Sequence, residues 1–119
     1  MILIKYPKSW IRAIFYRYAI KIWGHSPIRK FNLTIEFIYD EVDYTMALLI
    51  PKNQKAVIDD DGNMVKTPKK GILRISEKGL NLNPNKFIKV IIHEVVHIGL
   101  HKHDKKFKKM VKKYGGIVS

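Results

Sequence analysis

The chain has 119 residues, 46% of them hydrophobic, which excludes a disordered tail and fits one packed domain. It carries 23 Lys and Arg against 10 Asp and Glu, a formal net charge of +13 that attracts phosphates, anionic lipid surfaces and acidic proteins. The absence of cysteine excludes disulfides, cysteine zinc sites and thiol nucleophiles, so any metal ion must be held by His, Asp or Glu. We expect a cytoplasmic protein without a signal peptide or membrane span, because basic residues interrupt its longest apolar stretch.

A first helix is predicted from Ser9, as the N-cap, to Trp23, with Gly24 as its end. Its apolar residues recur at helical spacing and predict a face buried in the core rather than one lying on a membrane surface. This face comprises Ile11, Ile14, Phe15, Tyr18 and Ile22.

Three strands are predicted next. Alternating apolar residues predict the first from Phe31 to Tyr39, and Tyr44 to Ile50 forms the second, ended by Pro51. Gly71 to Ser76 is the third, followed by a loop that continues to the next helix.

Between the second and third strands, Asp60-Asp61-Gly62-Asn63 predicts a hairpin turn joining two short apolar segments, residues 56–58 and 64–65. Clustered aspartates also occur in calcium loops. The alternating ligands and the terminal glutamate of such a loop are missing, so we interpret the segment as a hairpin tip.

Two helices close the chain. Asn83 and Pro84 predict the start of a helix that extends to Ile98, with Gly99 as its end. Asp104 predicts the cap of a final helix ending at Tyr114, with an apolar stripe of Phe107, Met110, Val111 and Tyr114 and lysines on the other faces. This order of elements predicts a single α+β domain over residues 1–119, with helices packed on a small mixed or antiparallel sheet.

The residues best suited to bind a metal ion or transfer a proton lie in one segment, His93-Glu94-Val95-Val96-His97. Residues four apart share one face of a helix with about 6 Å of rise between them, so His93 and His97 can bind one metal ion. Glu94 is then placed as a general base beside a metal-activated water. Alternatively, the two histidines are hydrogen-bonded packing residues and Glu94 pairs with a lysine. The apolar helix around them favours the metal, because unligated ionisable groups are costly to bury.

A third metal ligand is available among His101, His103 and Asp104. On a straight helix His101 would lie about 12 Å of rise beyond His93, too far to share one ion. We therefore expect the chain to fold back at Gly99 through the left-handed conformation that glycine accepts. The spacing from His93 to His103 equals that between the first and last histidines of the long signature HExxHxxGxxH.

The segment HEVVHIGLHKHDKKF resembles the active-site region of the SprT and WLM group of zincin metallopeptidases. The resemblance implies that His93, His97 and His103 are zinc ligands, that Glu94 is catalytic and that Phe107 anchors the following helix. It also implies a zincin-like domain, in which a helix, a small sheet and an edge strand precede the active-site helix.

The sequence differs from the related metallopeptidase signatures in two ways. Gly99 lies one place before the glycine of the long signature, and no methionine follows at the distance expected for a Met-turn. A ligand set completed by a later glutamate is excluded, because no glutamate follows Glu94.

The sequence thus predicts a Zn²⁺-dependent peptidase acting on a peptide or protein substrate, held in extended form along Gly71–Ser76 if that strand is an exposed edge. The lysines of the last helix are either a solvated face or a non-specific nucleic-acid contact through Lys105, Lys108, Lys109 and Lys112. Two alternatives stay open: a basic nucleic-acid-binding protein with a structural metal, and a latent scaffold whose tail, Tyr114 to Ser119, closes the site.

Overall fold

Helices and strands combine in an α+β fold in the computed structural model, which describes residues 6–38, 47–52 and 55–118. The helices are α1 (Lys8–Trp23), α2 (His25–Ile28), α3 (Glu77–Leu80), α4 (Pro84–Val96) and α5 (Lys105–Lys113). The strands are β1 (Asn32–Ile38), β2 (Ala47–Lys52), β3 (Val57–Ile58), β4 (Met64–Lys66) and β5 (Lys70–Ser76). The predicted fold class is confirmed. Within these ranges, no helix has the length and apolar character needed to cross a membrane.

A mixed three-stranded sheet has the order β1-β5-β2. Strand β5 pairs in parallel with β1, where Asn32 faces Lys70, and antiparallel with β2, where Ala47 faces Ile75. Residues 71–76 are therefore not an exposed edge, because β5 has a partner on both sides, and the condition for a substrate along this strand is not met.

Strand β2 lies at the edge of this sheet in the described part of the chain. Pro51 does not end it, contrary to prediction, and pairs with Gly71 inside the strand. An edge strand tolerates proline because an N–H on the outer side needs no partner in the sheet. The predicted positions 44–46 of this strand, and Tyr39 of the preceding one, lie outside the described residues.

The predicted hairpin tip is confirmed. Strands β3 and β4 are antiparallel, and Gly62 adopts a φ of 84° in the turn between them. The Asp59 carboxylate accepts hydrogen bonds from the amides of Asp61 and Asn63, at 3.0 and 2.8 Å. These bonds within the turn give Asp59 a structural role.

Helix α1 begins two residues earlier than predicted, with Pro7 rather than Ser9 at the N-cap. Its buried residues are spaced by four and comprise Ile11, Phe15, Ala19 and Trp23. The predicted stripe does face the core, with Ile14, Tyr18 and Ile22 half-buried along its side and packed against the buried residues. Packing against α4 sets this face, and there the Trp23 indole N–H donates to the Val95 carbonyl at 2.9 Å.

The segment after β5, predicted as a loop, contains the short helix α3. Ser76 caps it by accepting a hydrogen bond from the Gly79 amide at 3.2 Å. Ser76 is itself buried, so this local bond satisfies its hydroxyl oxygen.

Helix α4 begins as predicted, with the Asn83 side chain accepting a hydrogen bond from the Lys86 amide at 2.9 Å. It ends at Val96, and residues 97–99 form a turn in which the Leu100 amide donates to the Val96 carbonyl.

Gly99 does not have the positive φ that the sequence suggested. It is needed for space, because a Cβ here would lie 2.7 Å from the Trp23 ring and 2.9 Å from the Ile58 side chain. The corrected role is close packing rather than a left-handed turn.

Helix α5 is capped as predicted, with the Asp104 carboxylate accepting from the Phe107 amide at 3.0 Å. Phe107 and Val111 are buried and pack with Val96 in a small second core. After α5 the chain turns back along α4, where the Ile117 amide donates to the Lys89 carbonyl at 3.1 Å.

Candidate metal centre

The three histidines chosen from the sequence lie together. One potential ligand atom from each of His93, His97 and His103 lies within 4.8 Å of the other two. The group spans from the interior to the surface, since His93 is buried, His97 is half-buried and His103 is exposed. The predicted ligand set therefore forms one cluster that can hold a metal ion.

Two local features of the chain bring these rings together. His93 and His97 are one helical turn apart at the end of α4, and their ring centroids lie 4.9 Å apart. The chain then reverses through residues 97–103 before α5 begins, and this brings the Nε2 atom of His103 to 3.0 Å from that of His97.

Backbone carbonyls fix the orientation of the two helical histidines. Nδ1 of His93 lies 2.9 Å from the Ile117 carbonyl oxygen, and Nδ1 of His97 lies 3.0 Å from that of Leu100. Because a carbonyl oxygen only accepts hydrogen bonds, each Nδ1 must carry the proton and donate it. In the neutral rings Nε2 then keeps its lone pair, which is the form that binds a metal ion.

Phe107 forms the inner wall of the cluster. Its ring centroid lies 4.8 Å from that of His93, 4.3 Å from His97 and 4.9 Å from His103. The Phe107 side chain is fully buried, so α5 places a rigid apolar surface against all three imidazoles. This position agrees with the anchoring role that the sequence resemblance implied.

The charge state of the histidines also suits a metal. Burial lowers the pKa of His93, and it lowers the pKa of His97 to about 4, with further lowering by the neighbouring imidazoles. Both rings are therefore neutral near pH 7, so a cation need not displace a proton from Nε2.

The spacing of the cluster is compatible with zinc. Zn–N bonds of about 2.0–2.1 Å place two ligands of a tetrahedral ion roughly 3.4 Å apart. The 3.0 Å between Nε2 of His97 and Nε2 of His103 is close to this value. A tetrahedral ion held by these three imidazoles would keep its fourth position for water or substrate.

Glu94 occupies a different environment from the histidines. Its side chain is 4% exposed, and its Oε1 accepts a hydrogen bond from the Leu49 amide of β2 at 3.0 Å. Burial raises the pKa of Glu94 to about 8 in the metal-free chain, and the Leu49 hydrogen bond opposes the shift. Glu94 is not a member of the histidine cluster, so it is available for a role other than ligation.

The competing third-ligand candidates do not join the cluster. His101 is exposed and lies outside it, and the Asp104 carboxylate accepts a hydrogen bond from the Phe107 amide at the start of α5. Asp104 thus supports His103 by starting the helix that follows it. No imidazole contact of Asp104 is present among the described residues.

Sequence reasoning missed three backbone groups of the site. They are the amide of Leu49 and the carbonyls of Leu100 and Ile117. Every residue carries such groups, so only the approach of β2 and of the chain after α5 selects these three.

Comparisons with known proteins assign no family: the sequence matches no family model, no curated protein and no solved structure. The similarity to SprT and WLM peptidases therefore rests on the residues quoted above and stays a prediction.

Proposed function

We propose that the chain is a zinc-dependent peptidase with His93, His97 and His103 as ligands and Glu94 as general base. The observation that carries this proposal is the convergence of three imidazoles, together with a buried carboxyl group on the residue that follows the first of them in α4. A structural metal site has no need for such a carboxyl group. A hydrolytic site uses one to accept a proton.

The chemistry divides between the metal and the chain's own groups. A bound zinc ion would supply the positive charge that polarises a substrate carbonyl, activates water and favours ionised Glu94. The Leu49 amide holds Oε1 of Glu94, which leaves Oε2 as the oxygen that takes the proton from the attacking water. Glu94 then delivers this proton to the amine that leaves when the C–N bond breaks.

The position of β2 supports an extended peptide as substrate. Since β5 is the central strand, β2 is the edge that lies beside Glu94, in place of residues 71–76. The outer side of β2 gives its Leu49 amide to Glu94 and has no N–H at Pro51, so a peptide there would be held mainly by donating to the strand's outer carbonyl oxygens, close to the carboxyl group. This arrangement replaces the substrate position expected from the sequence.

The test compares wild type with Glu94→Gln for zinc content and casein hydrolysis. Gln retains an oxygen for the Leu49 amide but cannot take up a proton, so zinc should stay bound while hydrolysis falls at least about a hundredfold. Equal hydrolysis by both proteins would exclude Glu94 as the base. Zinc binding without hydrolysis by either protein would contradict the peptidase proposal and favour a structural metal or a latent scaffold.

A second candidate is non-specific nucleic-acid binding. Lys105, Lys108, Lys109 and Lys112 are exposed on one side of α5, and the net charge of +13 gives the whole chain an attraction for phosphates. Such binding is compatible with peptidase activity as well as with a structural metal.

The latent scaffold requires the tail to cover the site. Ile117 contacts His93 at Nδ1, the ring nitrogen that does not face the other ligands. This contact supports a tail that orients His93. Ser119, the last residue of the proposed closing segment, lies outside the described residues.

A further inference from the structure

A concave surface lies between the β3–β4 hairpin and α5. It encloses about 690 Å³, and we call it the hairpin groove. Its apolar lining consists of Trp23, Ile58, Leu100 and Met110. Ile58, Leu100 and Met110 are half-buried, so they present apolar surface to whatever enters the groove.

The two sides of the hairpin groove carry opposite charges. One side is the hairpin tip, which contributes Asp59, Asp60 and Asp61. The other side is α5, which contributes Lys106, Lys109 and Lys113. These lysines are spaced by three and four residues and so share one face of the helix.

The charged sides do not neutralise each other by contact. Within the described ranges, no lysine of this face forms an ion pair with an aspartate of the hairpin tip. Asp60 and Asp61 are exposed, as are the three lysines. A ligand lying across the groove therefore meets positive charge on one side, negative charge on the other and apolar surface between them.

The groove is connected to the metal centre through the chain that lines it. The carbonyl of Leu100 orients His97, and Met110 lies one helical turn after Phe107, which packs against the imidazoles. The groove and the centre thus share α5 and the turn after α4. A segment bound in the groove would be held beside the centre without occupying its ligand atoms.

We propose that the hairpin groove binds an extended segment of the protein substrate in which acidic and basic residues flank an apolar side chain. The apolar residue packs on Ile58, Leu100 and Met110, the acidic end faces the lysines of α5, and the basic end faces the hairpin tip. That the bound segment belongs to a substrate rests on the proposed peptidase function. The binding itself requires no catalysis. A peptide matches the groove because its chain carries both charges within a few residues of an apolar group.

The experiment measures binding separately from hydrolysis. Glu94→Gln protein loaded with zinc is titrated against the fluorescein-labelled peptide Asp-Asp-Leu-Leu-Lys-Lys, followed by anisotropy at low salt. Two control peptides replace either the charged residues by Ser or the two Leu by Gly. We expect the first peptide to bind at least about tenfold more tightly than either control, since both charge and apolar contact contribute.

Two matched variants locate the binding surface. Lys106→Glu with Lys113→Glu reverses charge on the groove side of α5, whereas Lys105→Glu with Lys112→Glu makes the same change one residue earlier, on the outer side. We expect the first pair to weaken binding about tenfold or more and the second to change it less than about threefold. Circular dichroism and thermal melting confirm that both variants are folded.

Equal losses of peptide affinity in the two double variants would overturn the proposal, because they would indicate general electrostatic attraction to a basic protein. Equal affinity for all three peptides, or no binding, would also overturn it. Specific binding by a protein that hydrolyses no substrate would retain the groove as a peptide site and remove the peptidase function, so the two failures are distinguishable.

Discussion

Nε2 of His97 lies 3.0 Å from Nε2 of His103, although five residues and a chain reversal separate the two histidines. Because Nδ1 of His97 already donates to Leu100, a metal-free contact needs a proton on Nε2 of His103. A metal ion would replace that proton and bind both nitrogens.

This geometry predicts that His103→Ala lowers zinc affinity far more than His101→Ala. His101 is the matched control, since it is exposed in the same turn and lies outside the cluster. Competition with a chelator of known affinity measures the difference, which we expect to exceed about a hundredfold. Loss of zinc from His101→Ala alone would move the third ligand to His101.

The support of His93 by the Ile117 carbonyl predicts a role for the chain after α5 in metal binding. A chain ending at Gly115 lacks this acceptor and should bind zinc about 10–100-fold more weakly, the usual cost of losing a group that orients a ligand. A chain ending at Val118 keeps the Ile117 peptide carbonyl and should bind as the full chain does. Equal affinity in both shortened chains would show that His93 needs no such support.

The buried carboxyl group of Glu94 predicts a pH-dependent stability of the metal-free protein. The pKa of Glu94 is about 8 in the folded chain, against an ordinary value of 4.5. The contribution of its protonated carboxyl group to the unfolding free energy is therefore fully present below about pH 4.5 and is lost as the pH rises through 8. Glu94→Gln does not titrate and should exceed wild type in unfolding free energy by on the order of 3 kcal/mol at pH 8, with little difference at pH 4.

Urea unfolding at a series of pH values, with chelator present, measures this difference. Glu77→Gln changes net charge equally at an exposed position and serves as the control. A difference between Glu94→Gln and wild type that is independent of pH would contradict the buried, protonated carboxyl group.

Close packing at Gly99 predicts that Gly99→Ala destabilises the fold by about 1–3 kcal/mol, because the new methyl group meets the rings and side chains of Trp23 and Ile58. Zinc binding should weaken in parallel, since Gly99 lies between His97 and the carbonyl that orients it. Gly62→Ala is the comparison: its positive φ costs roughly 1–2 kcal/mol, but its position has open space and is remote in sequence from the ligands. Chemical denaturation measures the stability of both variants, and zinc titration measures their affinity for the metal. A Gly99→Ala protein with the stability and zinc affinity of wild type would contradict the prediction.

Four exposed lysines of α5 predict salt-dependent nucleic-acid binding. Replacing Lys105, Lys108, Lys109 and Lys112 by Gln should weaken binding to duplex or single-stranded DNA and reduce the slope of affinity against salt, because fewer counterions are released. Filter binding at several salt concentrations measures both quantities. Absence of DNA binding by wild type at low salt would identify these lysines as a solvated face.

The features predicted correctly from the sequence are those set by neighbouring residues. Asn83 and Asp104 cap their helices through bonds to amides three positions away, and His93 and His97 meet because a helix turn fixes their spacing. The errors concern contacts between distant segments. The central position of β5 depends on pairing with two remote strands, and the need for Gly99 depends on Trp23, which lies on another helix.

The strand order also constrains when the site is assembled during folding. Glu36 of β1 pairs with Arg74 of β5, 38 positions later, and β2 finds its partner in the same strand. Neither early strand has a neighbour in the sheet until β5 is in place, so closing these long loops precedes any gain from pairing. Because Glu94 binds the edge strand β2, its environment forms only after the sheet does. On a ribosome, strands β1 and β2 must therefore wait without their sheet partner until the chain through Ser76 has emerged, an interval in which their exposed edges are open to aggregation.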